Sequence, residues 1–369
     1  MKTLIYCITL VLGMLAIGCS KTNEMGSAAS NTVSLKSALT QGIQNLSTAM
    51  TAISTSKGSQ VVKGPADLLT KSASISLWDT VSHSIALADI AGVYEYKATT
   101  FKRGHMPMMR FFNKIKDSTL MVVRLPEEKV KGSKKLLNYA AGDSALTNNY
   151  QITVSDYQLN LSHQNGTTYQ MTSAIKISNV DAGQYKIQSS KSRQNGYNLA
   201  SEYDFLNGYI TKCSYTPGDT AVSTYAISKD SKTLYEEKYT AIRTDSLNKH
   251  REKEFSLTIG DVVIVRQLGH KQASLDSAKV YVAGVLQLKS KVEIVDNTND
   301  PTGDKADNCI TNHKKELKIT FDDGTTKTLT ELTGTVITDI GSLFASLREA
   351  NFGKAIVDYI AWDIYFKKQ

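Results

Sequence analysis

YQLNLSHQNGTTYQMTSAIKI, residues 157–177, decides the fold. Tyr157, Leu159 and Leu161 alternate with polar residues up to Asn165-Gly166, and Tyr169, Met171, Ile175 and Ile177 continue the alternation beyond it. A period of two marks a strand with one buried face, because successive side chains leave opposite faces of the backbone. Asn-Gly between two such runs marks a tight hairpin, since both central residues of the favoured turn need positive φ.

The same device recurs downstream. Asn195-Gly196 precedes Tyr197, Leu199, Tyr203 and Phe205, and Asn207-Gly208 leads into Tyr209, Thr211, Cys213 and Tyr215. Further strands are readable at Thr119–Leu125, Phe255–Ile259, Val262–Gln267, Lys279–Leu288 and Val292–Val295. Leu317, Ile319 and Phe321 run into a further turn pair, Asp323-Gly324. Eighteen tyrosines suit half-buried pleated surfaces. These signals predict a mainly β (α+β) protein, built as a large antiparallel meander.

Helices flank it. Leu35, Leu39, Ile43, Leu46, Met50 and Ile53 recur every three or four residues, one face of an amphipathic helix. A loop is expected over Ser56–Gly64, and Pro65 opens a short helix at Ala66–Thr70. Near the other end, Ile340, Leu343, Phe344 and Leu347 predict a helix over about 338–351, closed by Phe352-Gly353. In Ala355–Phe366 the spacing of Ile356, Tyr359, Ile360 and Ile364 favours a second helix, with a terminal strand as the alternative. The expected organisation is a leader over 1–18, a tether over 19–32 and a helical region over 33–91. The β body follows over 92–295, then an acidic loop over 296–313. A hairpin with C-terminal helices, 314–369, joins the β body in one domain.

The first residues carry a separate signal. Lys2 precedes an apolar run from Leu4 to Ile17, short for a membrane span and suited to a leader. It ends in Leu15-Ala16-Ile17-Gly18-Cys19, which resembles the lipobox of bacterial lipoproteins, with Ala16 where that family usually has Leu. The resemblance implies cleavage before Cys19 and lipid on its thiol and new amino group. Each buried methylene then contributes roughly 0.8 kcal/mol of membrane affinity. It also implies anchoring in the cell envelope, and Ser20 after the cysteine favours the outer membrane. The Ser-, Ala- and Asn-rich residues that follow suit a flexible spacer.

A formal charge of +8 on 369 residues is mild, and nucleic acid is not an expected partner in this compartment. Cys7 leaves with the leader and Cys19 carries lipid, so the body keeps Cys213 and Cys309. In an oxidising compartment these two could form a disulfide closing about 96 residues; two separate buried thiols are the alternative.

Catalytic signatures are missing. No G-x-S-x-G, H-E-x-x-H, phosphate-binding loop or dinucleotide fingerprint occurs. S-x-x-K stands at Ser54–Lys57 and Ser173–Lys176 without the K-T-G strand that such sites use. The six histidines lack ligand spacing and read as surface or hairpin residues. Glu236 and Glu237 are adjacent, so on a strand they face opposite ways and make no acid/base couple. One stretch, Asp296 to Cys309, gathers Asp296, Asp300, Asp304 and Asp307 with Asn297, Asn299 and Asn308. It resembles a thrombospondin type 3 repeat, which implies calcium on those aspartates. It departs from that repeat at Pro301 and Thr302 and is not repeated. The other reading is a solvated connection with no cofactor at all.

Three functions fit the sequence. The first is a membrane-tethered, non-enzymatic binding or structural module for a polysaccharide or protein partner. The second is a carrier of lipid or another apolar ligand, since a curved sheet over amphipathic helices resembles the lipoprotein-localisation carriers of the bacterial envelope. The third is a hydrolase whose parts meet only in the fold.

Overall fold

The computed structural model describes residues 34–62, 82–98, 108–131, 145–162, 166–243, 251–268, 277–296, 315–349 and 351–368. The chain enters through helix α1 (Leu35–Thr55) and the short α2 (Lys57–Val62), then strand β1 (His83–Ala86) and α3 (Leu87–Ile90). Strands β2 (Gly92–Tyr96), β3 (Phe112–Lys116) and β4 (Met121–Leu125) precede α4 (Glu127–Lys131). The meander proper begins with β5 (Tyr150–Ser162), β6 (Gly166–Ile177), β7 (Val180–Ser192) and β8 (Gly196–Asp204). It continues through β9 (Tyr209–Thr216), β10 (Thr220–Lys229), β11 (Lys232–Arg243), β12 (Arg251–Ile259), β13 (Val262–Leu268) and β14 (Ser277–Val282). Every consecutive pair from β5 to β14 is antiparallel. The body is therefore mainly β, one large antiparallel sheet with helices from both ends of the chain.

At one end, β5 is long enough to take two neighbours on one side. Met121–Leu125 of β4 pairs with Tyr150–Val154, and His83–Ala86 of β1 pairs with Gln158–Leu161. Strand β2 joins β4 in parallel, and β3 lies antiparallel to β2. At the other end, β14 passes the ladder to β16 (Lys291–Asp296), β17 (Lys315–Thr320) and β18 (Thr326–Thr328).

The turn chemistry differs from the sequence reading. Hairpins with positive φ at two adjacent residues lie at Ser178-Asn179 (51°, 64°), Asp230-Ser231 (48°, 69°) and Ala283-Gly284 (47°, 81°). At Asn195-Gly196, only the glycine has positive φ (70°), and Ser192 pairs directly with Gly196. Such three-residue loops close a hairpin with a single left-handed glycine. Asn195-Gly196 thus marks its hairpin through a longer loop than expected.

Four local elements differ from the sequence reading. The expected loop at Ser56–Gly64 contains α2, because Ser56 ends α1 and then caps the next helix, its hydroxyl accepting from the Ser59 amide at 3.2 Å. The single strand expected over Lys279–Leu288 folds back at Ala283-Gly284, so Val285–Leu286 pairs with Tyr281 and Val282 as β15. Phe352-Gly353 does not close a helix. Helix α6 (Val336–Glu349) precedes the break, and α7 (Asn351–Lys368) already contains Gly353, whose bare face lies against Ile152. Within the segment read as helical, His83–Ala86 is a strand.

Helix α1 lies against β11, β12 and β13 and buries Leu35, Leu39, Leu46 and Ile53. Each such side chain contributes roughly 1.5–3 kcal/mol relative to exposure. Its close seating depends on Gly42, where a Cβ would stand 2.8 Å from the carbonyl oxygen of Ile259. Helix α6 contacts α1, α2 and α7, and α7 also contacts α3 and the 3-10 turn at Met108–Phe111.

Candidate functional site

The site is assembled by register. Residues directly opposite in a ladder send their side chains to the same face. One row runs from Tyr157 through Met171, Ile187, Ser201, Cys213, Tyr225, Glu237 and Leu257 to Ile264. The next row holds Leu159, Tyr169, Ser189, Leu199, Tyr215, Ser223, Tyr239 and Phe255. Both rows face the helices: Tyr157 and Tyr169 reach Asp358 of α7, and the Tyr225 ring meets Phe344 of α6 edge-on at 5.4 Å.

A bulge sets this alignment. The β5–β6 register shifts between Val154 and Asp156, so Val154 and Tyr157 are both buried although three positions apart. Without the shift, Tyr157 would leave the helix-covered face.

Under α7 lies a polar cluster. The Tyr157 and Tyr169 hydroxyls donate to Asp358 Oδ1 at 3.1 and 3.0 Å, and Lys354 Nζ donates to Asp358 Oδ2. The same ammonium sits 4.1 Å from the centre of the Tyr169 ring, in cation–π range. Burial, reinforced by the Asp358 charge, holds both phenols well above the ordinary tyrosine range. Tyr185 is raised by burial first and by Cys213 second, with Asp358 and Tyr197 adding to it. These groups are therefore protonated donors at neutral pH.

Some side chains of this face remain exposed. Tyr197, Tyr215 and Tyr239 are 45, 37 and 37 % exposed on the face whose neighbours Tyr157 and Tyr169 are buried. Tyr197 belongs to the row of His83, Leu161, Thr167 and Lys191, again on the helix side. Tyr215 and Tyr239 are two strands apart, roughly 10 Å at ordinary strand spacing. Ser189, Leu199 and Ser223, half-buried, fill the positions beside them. The strip offers flat aromatic surface interleaved with hydroxyls.

The residues singled out from sequence fall mostly elsewhere. Cys213 is half-buried in β9 on the helix-facing side. Cys309, Asp300, Asp304 and Asp307 lie outside the described residues, as does Cys19. Asp296 is the last residue of β16, opposite Lys315. Among the described residues, no group of three His, Cys, Asp or Glu is placed to hold a metal. Ser173 is buried in β6, and Lys176 pairs with Asp181 at 3.0 Å, so this S-x-x-K holds no nucleophile–base geometry. His83 corrects the surface reading of the histidines, being packed against Trp362, Tyr365 and Phe366. Glu237 is mid-strand, hydrogen-bonded by Tyr235, and burial raises its carboxyl above the usual range. Sequence reasoning passed over Lys354 and Asp358, which look like an ordinary helical ion pair until the sheet is placed beneath them.

No protein-family model, curated protein or solved structure matches this chain. The site's chemistry therefore has to be read from its own residues.

Proposed function

We propose that the chain is a membrane-tethered envelope lipoprotein whose body is a non-enzymatic binding module, with a polysaccharide as its ligand. The lipobox-like Leu15–Cys19 supports the tether, through lipid on Cys19, and the outer membrane as its place. The observation that carries the binding reading is the exposure of Tyr215 and Tyr239 in the row where Tyr169 is buried. Aromatic rings stack on the apolar faces of sugars, while phenolic and serine hydroxyls meet sugar hydroxyls at the edges. Asp358 is occupied by three donors and serves to hold α7 in place.

The lipid-carrier reading is weaker. Tyr235, Ile227, Ile259 and Phe344 are buried together under the meander, where an acyl chain would need room. Among the described residues, no helix is long and apolar enough to cross a membrane.

Affinity electrophoresis through gels cast with β-glucan, xylan, mannan or dextran tests the proposal. At least one polysaccharide should retard the protein, and Y215A and Y239A should each restore mobility without lowering the melting temperature. Native mass spectra should show the protein without extractable lipid at the site. Unretarded migration in every gel, together with co-purifying lipid, would overturn this reading in favour of the carrier.

A further inference from the structure

A second recess lies away from the tyrosine strip, between α1, α2 and α6. It is a half-open cleft of about 420 Å³, within the size range of small-molecule sites. Met50, Ile53 and Leu343, all buried, form its apolar floor. Among the described residues, its walls are hydroxyls and one charged group, Asp339, in the first turn of α6.

The direction of the hydrogen bonds gives the cleft its selectivity. Thr51 Oγ1 donates to the Ser47 carbonyl at 3.0 Å, and Ser54 Oγ donates to the Thr51 carbonyl at 2.9 Å. Ser59 Oγ donates to the Ser54 carbonyl at 2.8 Å, and Thr335 Oγ1 donates to Asp339 Oδ2 at 3.3 Å. Each of these protons is committed within the protein, so the oxygens present lone pairs to an incoming group. Asp339 adds acceptor capacity and negative charge. Among the described residues, no Lys, Arg or His lines the cleft. An occupant that supplies donors suits these four oxygens, and the carboxylate favours positive charge. The floor asks that it also carry an apolar stem.

We propose that this cleft binds a small organic cation, a primary ammonium on a short alkyl chain. The ammonium has three donors and no acceptor, which matches the lone pairs of Thr51, Ser54, Ser59 and Thr335 around a carboxylate. The alkyl stem lies on Met50, Ile53 and Leu343. The assignment is independent of the polysaccharide reading, because it uses neither the sheet nor its tyrosines.

Isothermal titration of the full-length protein with pentylammonium chloride should give saturable binding at one site, whereas pentanol should give none. D339N should weaken pentylammonium at least about tenfold, the loss expected for one charge-assisted hydrogen bond. S47K, which adds a fixed ammonium on the exposed rim of α1, should abolish binding. A thermal melt of each variant shows whether it remains folded, and S47K decides the matter should D339N fail to fold. The proposal is overturned by absence of pentylammonium binding, by equal binding of pentanol, or by binding that survives in a folded S47K variant.

Discussion

Asp358, near the end of the chain, accepts a 3.1 Å hydrogen bond from Tyr157, a residue 201 positions earlier. Tyr169 shares the same carboxylate oxygen. Loss of the carboxylate leaves two buried phenols without this acceptor, at roughly 1–3 kcal/mol for each one left unsatisfied. D358A should therefore lower unfolding stability by about 2–4 kcal/mol in urea denaturation. D358N keeps a carbonyl acceptor and should lose less, and Y157F should lose only about 1 kcal/mol. A D358A protein as stable as the parent would show that α7 is not held through this contact.

Eight described tyrosines, including Tyr157, Tyr203 and Tyr235, are held above the ordinary phenol value of 10.0, with burial the largest cause in each. Their folded pKa exceeds the unfolded one, so the folded state keeps protons that the unfolded chain releases. The stability they contribute is complete below pH 10 and is lost as pH rises through the folded values. Phenolate absorbance should rise in two stages with pH, first from exposed rings and then together with unfolding. In concentrated urea, the same titration should collapse to one stage centred near the ordinary value.

Glycine-to-alanine substitution should have opposite signs in two helices. At Gly42, the new methyl would stand 2.8 Å from the Ile259 carbonyl, so α1 must move off the hairpin beneath it. G42A should destabilise by about 1–3 kcal/mol despite the better helix propensity of alanine. At Gly341 in α6, nothing lies within 4 Å of the added carbon, and G341A should stabilise by up to about 1 kcal/mol. Paired melting curves check both, and a matching sign would refute the seating of α1.

Burial raises the Glu237 carboxyl above its ordinary value, and the hydrogen bond from Tyr235 only partly offsets that. A group raised in this way stabilises the fold below its unfolded pKa and loses that contribution as pH climbs through the folded value. E237Q removes the charge while keeping an acceptor for Tyr235. It should stabilise the protein at neutral pH and leave it little changed in mild acid. Denaturation series at the two pH values give the comparison.

The meander was legible wherever alternation coincided with a glycine turn. Strands β10 and β11 escaped the reading for a physical reason. Their turn, Asp230-Ser231, reaches positive φ at both positions without glycine, and β10 mixes half-buried Val222, Ser223, Thr224 and Tyr225. The amphipathic α1 was plain because Leu35, Leu39, Leu46 and Ile53 keep a helical period and are all buried. The tyrosine strip was not legible as a site. Tyr215 and Tyr239 become neighbours only through a register that Ser223 mediates between them. Tyr169 is buried and Tyr215 exposed in one row, a contrast that alternation along a strand does not carry.

The hydrogen bonds to Asp358 also carry a consequence for biosynthesis. The strands that bear Tyr157 and Tyr169 leave the ribosome long before α7. Until α7 is made, Tyr157 and Tyr169 lack their acceptor, and sequence-distant contacts of this kind form slowly. Nascent or truncated chains lacking α7 therefore present an adhesive sheet surface, the kind of transient species on which aggregation and chaperone capture act. Docking of α7 is the event that removes this adhesive surface.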